Sequence, residues 1–517
     1  MWLVWYIAVC VILFVLASLA AVYSYGRFAE RARGTPSTAL PVAQRDTLLD
    51  RIVAPKLEEH PDQSGLVLVT SNLRAFAIRA LAARSAERSL DLQYYYWKDD
   101  LTGGLLAREL IAAADRGVRL RVLLDDINTK GDDSTCLALD SHPNIEIRLF
   151  NPSRSRANAL RRGLEMALRA CSVTRRMHNK AWIADGRMAI VGGRNIGDAY
   201  FDAAETSNFR DMDLMLLGPV VQQAETVFDD YWNSGAVLPV GSLSGSRKGD
   251  LAGTVARLEA LVSGADAEPY LRRLRETDSV EGLLNREQPI HWTASAKIVS
   301  DPAEKAVSGA EDNWLLNTIF PVVNSAKAEL NIISPYFIPG DQGVAALRRL
   351  TANGAEVSVL TNSLAATDVV AVHGAYAGYR QRLLAGGVEL YELRPEILRK
   401  DVSLFGSRGA SLHTKAFTVD GKSGFIGSFN FDPRSISLNT EMGVLFEDAA
   451  VTAEVNAVFA NETAPASSYR LLPENGRIVW QEGSGVEVRM LTSEPEASIW
   501  RRLAAAVIGF LPIESQL

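Results

Sequence analysis

Two ten-residue stretches of this 517-residue chain nearly repeat each other: MHNKAWIADG from Met177 and LHTKAFTVDG from Leu412. The agreement runs on, so that His178, Lys180, Asp185, Gly186, Gly192 and Asn195 match His413, Lys415, Asp420, Gly421, Gly427 and Asn430. Residues two apart in an extended segment share a face, so each histidine stands beside its lysine while the apolar neighbours turn to the core. Each copy offers an imidazole, an ammonium and, after a turn, a side-chain amide. Two such sets facing each other give a pocket whose lysines (Lys180, Lys415) and asparagines (Asn195, Asn430) are donors toward a central anion. A phosphodiester needs such donors, because charge on its oxygens must be stabilised through the transition state. The histidines can then divide the labour. One, neutral, attacks phosphorus and forms a phosphohistidine; the other, protonated, serves the leaving alcohol and then deprotonates the incoming one. Fixed cations supply what a metal would, and H-x-K is poor ligand spacing, so no metal or other cofactor is expected. One H-x-K alone would be an ordinary surface strand. Two copies with matched Asp and Asn offsets carry the reading.

Strands and helices in alternation must position these residues. SLDLQYYYW, VRLRVLLDD and NIEIRLFNP read as strands, with GGLLARELIAAADRG an amphipathic helix between the first two. The order returns as ELNIISPYF, the helix QGVAALRRLTANG, AEVSVLTNS and GVELYELRP. The helix-ending glycines Gly117 and Gly354 precede their histidines by 61 and 59 residues, so the register is kept and one α/β unit is duplicated. Helices of this length between strands predict mixed, mainly parallel sheets flanked by helices. The expected division is an anchor at 1–25, a tether at 26–60, a first unit at 61–240, a helical bridge at 241–290, a second unit at 291–465 and a C-terminal extension at 466–517.

The anchor is WLVWYIAVCVILFVLASLAAV, uncharged from Trp2 to Val22. As a helix rising about 1.5 Å per residue it is long enough to cross a bilayer core. Trp2, Trp5, Tyr6, Tyr23 and Tyr25 stand at its ends, and Arg27, Arg31 and Arg33 follow it, which places the body in the cytoplasm. A cleaved signal peptide would want a basic start and a shorter apolar run. The net charge of −7 gives no bulk attraction to nucleic acid. Cys10, Cys136 and Cys171 have no metal or redox spacing and read as reduced thiols.

The doubled H-x-K-x4-D pattern resembles the phospholipase D superfamily, whose two α/β units pack pseudo-symmetrically around one shared active site. LDLQYYYW, RRMHNKAWIADG, VGGRNIGDAYF, LTNSLAATDVVAVHGAYAGYR and IGSFNFDPRSISLNTEMG are similar to the bacterial cardiolipin synthases, their C type in particular. The resemblance implies that His178 is the nucleophile and His413 the general acid and base. It also implies that carboxylates later in sequence orient the two rings. Glu441, 28 residues past His413, fits that place; Asp211, 33 past His178, is its counterpart, with Asp213 as the competing choice. Asp185 and Asp420 read as supports of the strand and turn. Ser428, matching Gly193, offers a further phosphate donor.

For substrate, the anchor and the acidic charge favour lipid over DNA. Arg154, Arg156, Arg161, Arg162, Arg169, Arg175 and Arg176 stand against one acid, Glu165, on the approach to His178, and suggest headgroup contacts or a solvated helix face. The tail SIWRRLAAAVIGFLP is too short to span and is either interfacial or docked on the core. The expected reaction is phosphatidyl transfer to the headgroup hydroxyl of phosphatidylglycerol, giving cardiolipin. Hydrolysis to phosphatidic acid, or a membrane-bound nuclease, are the alternatives. The resemblance further implies a bacterial inner-membrane location, an ethanolamine lipid as donor and a separate partner protein.

Overall fold

The computed structural model describes residues 2–42, 46–129, 133–156, 158–205, 207–243, 249–265, 267–275, 289–308, 314–395, 411–485, 488–509, 511 and 514. Among these residues one helix, α1 (Trp2–Ala32), is long and apolar enough to cross a membrane. Its last turns dock on the body. The Tyr25 hydroxyl donates to the Pro152 carbonyl at 2.8 Å, and the Arg169 and Arg154 guanidinium groups lie over the Tyr25 and Phe28 rings. The segment expected to be a tether is packed as well. Extended backbone at Ser37 and Ala39 is held by Arg121 and Asp229, and α2 (Leu48–Glu59) follows. Thr47 and Asp50 form a capping box at the start of α2, each side chain accepting from the other's backbone N–H. Asp50 also receives Arg88 and Arg187, while Leu49 and Val53 are buried. A composition rich in Ala, Pro and Ser hid these caps and ion pairs.

Among the described residues the first sheet has nine strands and the second ten. In chain order the first-unit strands are β1 (Ser64–Val69), β2 (Ser89–Tyr94), β3 (Arg119–Asp125), β4 (Ile145–Phe150), β5 (Ala181–Ala184), β6 (Met188–Gly192), β7 (Phe209–Arg210), β8 (Asp213–Leu217) and β9 (Val237–Pro239). Then come β10 (His291–Thr293), β11 (Ala296–Ser300), β12 (Glu329–Ile333), β13 (Glu356–Asn362), β14 (Glu389–Leu393), β15 (Ser411–Leu412), β16 (Ala416–Val419), β17 (Ser423–Gly427), β18 (Met442–Glu447), β19 (Ser468–Glu474), β20 (Arg477–Glu482) and β21 (Arg489–Leu491). The order β1-β8-β6-β5-β2-β3-β4 in one sheet is matched by β11-β18-β17-β16-β12-β13-β14 in the other. That match is the duplication in three dimensions. The sheets are mixed, yet less parallel than the alternation suggests: only β2-β3-β4 and β12-β13-β14 run parallel, and the remaining ladders in both sheets are antiparallel. The residues after each copied motif return as hairpins, which need no crossover helix.

Helices cover the sheets, among them α3 (Asn72–Ser85), α4 (Leu101–Asp115), α5 (Ala159–Leu168), α6 (Pro219–Trp232), α7 (Gly340–Ala352), α8 (Val370–Ala377), α9 (Ala449–Thr463) and α10 (Ile499–Gly509). Gly117 and Gly354 follow α4 and α7 at φ +94° and +98°, a left-handed stop that favours glycine. Two helices, Leu251–Ser263 and Glu268–Arg275, lie in the stretch read as a bridge, of which residues 244–248, 266 and 276–288 fall outside the described residues. Strand β10 adds to the first sheet rather than opening the second. Strands β19 to β21 complete the second sheet, so the C-terminal stretch is built into that unit. A core of Leu66, Ile183, Leu214 and Tyr231 with Leu360, Ala416, Val444 and Phe459 joins the two units. Cys10, exposed, and Cys136, buried, form no disulfide among the described residues; the Cys171 side chain lies outside them.

Candidate active site

Each motif histidine is set by the strand behind it and by the opposite unit. At the end of β3 the Asp125 carboxylate accepts the Met177 N–H at 2.9 Å. At the matching end of β13 the Asn362 amide accepts the Leu412 N–H at 2.9 Å and donates to the Leu412 carbonyl at 3.0 Å. The His178 N–H then donates to Thr440 O, and the His413 N–H to Arg210 O, both at 2.8 Å. Strand β15 pairs in parallel with β7 across the units. Backbone bonds thus lay each histidine against the loop that carries the other unit's carboxylate.

The carboxylates are consequently exchanged. His178 Nδ1 lies 2.8 Å from Glu441 Oε2, and His413 Nδ1 lies 2.6 Å from Asp211 Oδ2. The Nε2 atoms have no partner among the described residues, and both rings line one cavity of about 470 Å³ between the units. Asp213, the competing choice, is buried in ion pairs with Arg79 and Arg194 and touches neither ring. The two halves are chemically unequal. A Cβ on Gly193 would collide with Asp211 Oδ1, so the short carboxylate occupies the space of a side chain. At the equivalent place the Ser428 hydroxyl donates to Glu441. Ser428 is therefore not the phosphate donor it was read as; its hydroxyl is committed to the carboxylate beneath the ring.

Lys180 and Lys415 are buried, and each ammonium donates to the carbonyl of its own histidine. They lie behind the cavity wall and act on it mainly through charge. Burial pushes Lys180 down to about 7 and Lys415 to about 8. Burial also takes His178 down to about 4, with Glu441 opposing the shift and Lys180 adding to it. His413 is lowered by burial and then by Lys415 and Lys180. Although burial works to raise it, Glu441 is held below its ordinary value by the His178 ring, by Lys180 and by the Ser428 hydroxyl. Asp211 is raised by burial against the pull of Lys415. Burial thus works against the charged form of both imidazoles. An anion in the cavity reverses the trend, since a negative charge favours the protonated forms of the lysines and histidines.

Asn195 and Asn430 line the cavity, and each has a buried Oδ1 with no protein partner. Asn195 Nδ2 lies 3.0 Å from the Tyr200 hydroxyl, which can donate as well as accept. Amide oxygen and nitrogen are interchangeable by a flip, so either asparagine can turn its NH₂ toward a phosphate. Asp185 and Asp420 sit away from the cavity, in the β5-β6 and β16-β17 turns at φ 53° and 51°. Each carboxylate accepts three consecutive backbone N–H groups, of Glu87 to Ser89 and of Lys327 to Glu329, at the entry to the neighbouring strand.

The sequence reading missed the aromatic wall. Tyr95 meets the His178 ring edge-on at 5.0 Å, and Tyr200 meets His413 at 5.2 Å with Phe209 beside it. The signal was present in YYYW: Tyr94 is wholly buried at the end of β2, so the next side chain points to the opposite side. Asp368, Asp432, Tyr336 and Arg434 also line the cavity, and only their place in quoted stretches marked them. The arginine run is mostly structural. Arg156 and Arg162 pair with Asp126, Arg169 with Glu165 and Arg176 with Asp125; the buried Asp125 and Asp126 lie outside the run, which is why it looked unpaired.

Two α/β halves, a histidine and lysine from each, and one cavity between them define a phospholipase D-like protein. Residues 81–232 and 319–463 match the family model described as "Cardiolipin synthase, PLD-like domain". The chain is 41% identical to cardiolipin synthase C of Escherichia coli (strain K12) over 466 residues, 89% of this chain and 98% of that protein. It is 32% identical to an uncharacterized protein of Helicobacter pylori (strain ATCC 700392 / 26695), covering 92% of this chain and 95% of that one. The phosphatidylserine synthase of Haemophilus influenzae Rd KW20 shares the fold with a TM-score of 0.54 at 13% identity, over 81% of this chain and 91% of that chain. The chain belongs to the cardiolipin synthase family of PLD-like proteins.

Proposed function

We infer that the chain is a membrane-anchored phosphatidyltransferase that makes cardiolipin. The observation that carries this reading is the pair of crossed histidine–carboxylate contacts facing one cavity, in a chain of this family. His178, neutral and oriented by ionised Glu441, attacks the phosphorus of a donor phospholipid through Nε2. The P–O bond to the headgroup breaks, and His413, protonated beside the bound anionic phosphodiester, gives its Nε2 proton to the departing alcohol. The phosphatidyl group is now on His178. A headgroup hydroxyl of phosphatidylglycerol enters, His413 takes its proton, and its oxygen displaces His178 to give cardiolipin. Lys180, Lys415, Asn195 and Asn430 offset the charge on the phosphoryl oxygens in both steps.

The cavity wall favours an ethanolamine lipid as donor, because Asp368 and Asp432 offer carboxylates to an ammonium headgroup. Burial raises Asp432 to about 7, and a bound cation would bring it down. Arg27, Arg31 and Arg33, which follow the uncharged stretch of α1, support an inner membrane with the body on the cytoplasmic side. The test is lipid mass spectrometry on the full-length protein in phosphatidylglycerol vesicles, with and without phosphatidylethanolamine. Cardiolipin that rises with the second lipid and vanishes in His413→Ala is expected. Phosphatidic acid as the sole product would make the protein a hydrolase.

A further inference from the structure

Helix α10 presents to its surroundings a face without a single charged residue. Ile499 is 68% exposed, Trp500 77%, Leu503 51% and Val507 61%, and exposed Ala504 and Ala506 fill the gaps between them. The opposite face is fixed to the body. Ala505 is buried against α8, where a Cβ on Gly374 would meet the Ala505 carbonyl oxygen at 2.6 Å. Arg501 donates to the carbonyls of Leu364 and Thr367, and Arg502 to that of Glu494. Position and roll of the helix are therefore set, and the apolar stripe is not a consequence of fraying. Its location bears on the reaction. Helix α8, on which it rests, supplies Val372 to the cavity wall, and the residues just before supply Asp368 and Val369.

We propose that α10 is a membrane-docking helix whose Ile499, Trp500, Leu503 and Val507 enter the acyl region of the bilayer beside the cavity mouth. A contiguous exposed apolar face on a folded body marks an interaction surface. The occupant is the bilayer because this chain already carries a helix long and apolar enough to cross a membrane, its last turns docked on the body. Beside α1, α5 also exposes apolar residues, with Leu160 at 86% and Leu164 at 61%. An aromatic at one end of the stripe and arginines on its flanks suit a helix lying in the interface. Docked there, the cavity would receive a headgroup while the acyl chains stay in the lipid. The substrate part of this inference rests on the lipid reading above; the docking part does not.

The experiment uses the full-length chain in phosphatidylglycerol and phosphatidylethanolamine proteoliposomes, with the native cysteines replaced. A single environment-sensitive fluorophore is attached at Leu503→Cys or Val507→Cys, with Lys327→Cys as control at the far end of β12. Quenching at the two helix positions by spin-labelled acyl chains, and at the control by aqueous iodide, is expected. Iodide quenching at both helix positions, or energy transfer between labelled copies at these positions, would overturn the proposal, the latter in favour of a second copy as occupant. The double variant Leu503→Glu, Val507→Glu should turn over bilayer phosphatidylglycerol at least about tenfold more slowly. On a soluble short-chain phosphatidylglycerol it should match the wild type, and an equal loss on both would count against docking. Acyl-chain quenching in a protein that turns over neither lipid would leave docking standing and sink the lipid-transfer reading.

Discussion

Removing the Ser428 hydroxyl is expected to show what the inequality of the two halves does. Ser428→Ala leaves Glu441 without the donor that helps hold it below its ordinary value. Losing a hydrogen bond to a charged group costs roughly 1.5–3 kcal/mol, so the rate of phosphohistidine formation should fall by about tenfold or more. The mirror change is not its reverse. Gly193→Ser would drive a Cβ onto Asp211, and turnover should collapse through displacement of the His413 partner; single-turnover kinetics on both variants checks the pair. The lysines give a pH signature. Burial lowers Lys180 to about 7 and Lys415 to about 8, and an anion raises both. Binding therefore takes up protons, and affinity for tungstate, a phosphate mimic, should be full below pH 7 and fall as pH rises past 8. Each proton taken up changes affinity by at most about tenfold per pH unit. Calorimetry in buffers of different ionisation enthalpy reads the uptake directly, and affinity independent of pH would remove the lysines from the site.

At the scale of elements, the motif aspartates are turn devices. Asp185 and Asp420 each hold three backbone N–H groups at the start of β2 and β12. Replacement by Ala leaves those donors unpaired, at a cost of about 1–3 kcal/mol for each one that stays buried. Asp185 is wholly buried, whereas the amides at Lys327 and Ala328 are exposed and can turn to water. The melting temperature should therefore drop more for Asp185→Ala than for Asp420→Ala. A larger drop at Asp420 would contradict this account of the turns.

For the whole molecule, the stretch after residue 465 is part of the fold. Tyr469, Leu471 and Trp480 are buried in the second core, and Glu494 pairs with the buried Arg380. A chain ending at 465 would expose that core and leave Arg380 facing Glu392 alone. It should accumulate as insoluble or protease-sensitive protein, while a chain ending after Ser498 should remain folded and lose only α10. Limited proteolysis separates the two outcomes. The His373, Glu392 and Glu494 cluster has the spacing of a metal site, but the Arg380 guanidinium already fills it, so chelators should leave the melting temperature unchanged.

The repeat itself disclosed the duplication, the two histidines, their lysines and the pseudo-symmetric architecture, because each copy is a local pattern read from periodicity and spacing. Gly117 and Gly354 were legible for the same reason, since a left-handed helix stop leaves its mark in one residue. The packing of residues 35–42 and 46–59, the burial of the arginines and the C-terminal strands were not legible, because their partners lie far along the chain. The exchange of carboxylates belongs with these. Sequence offsets associate Glu441 with His413 and Asp211 with His178, whereas backbone bonds across the unit boundary bring Thr440 to His178 and Arg210 to His413. Sequence determined which residues could do the chemistry. Tertiary structure alone decided which carboxylate serves which ring, since that choice is made by contacts between units and not within either copy of the motif.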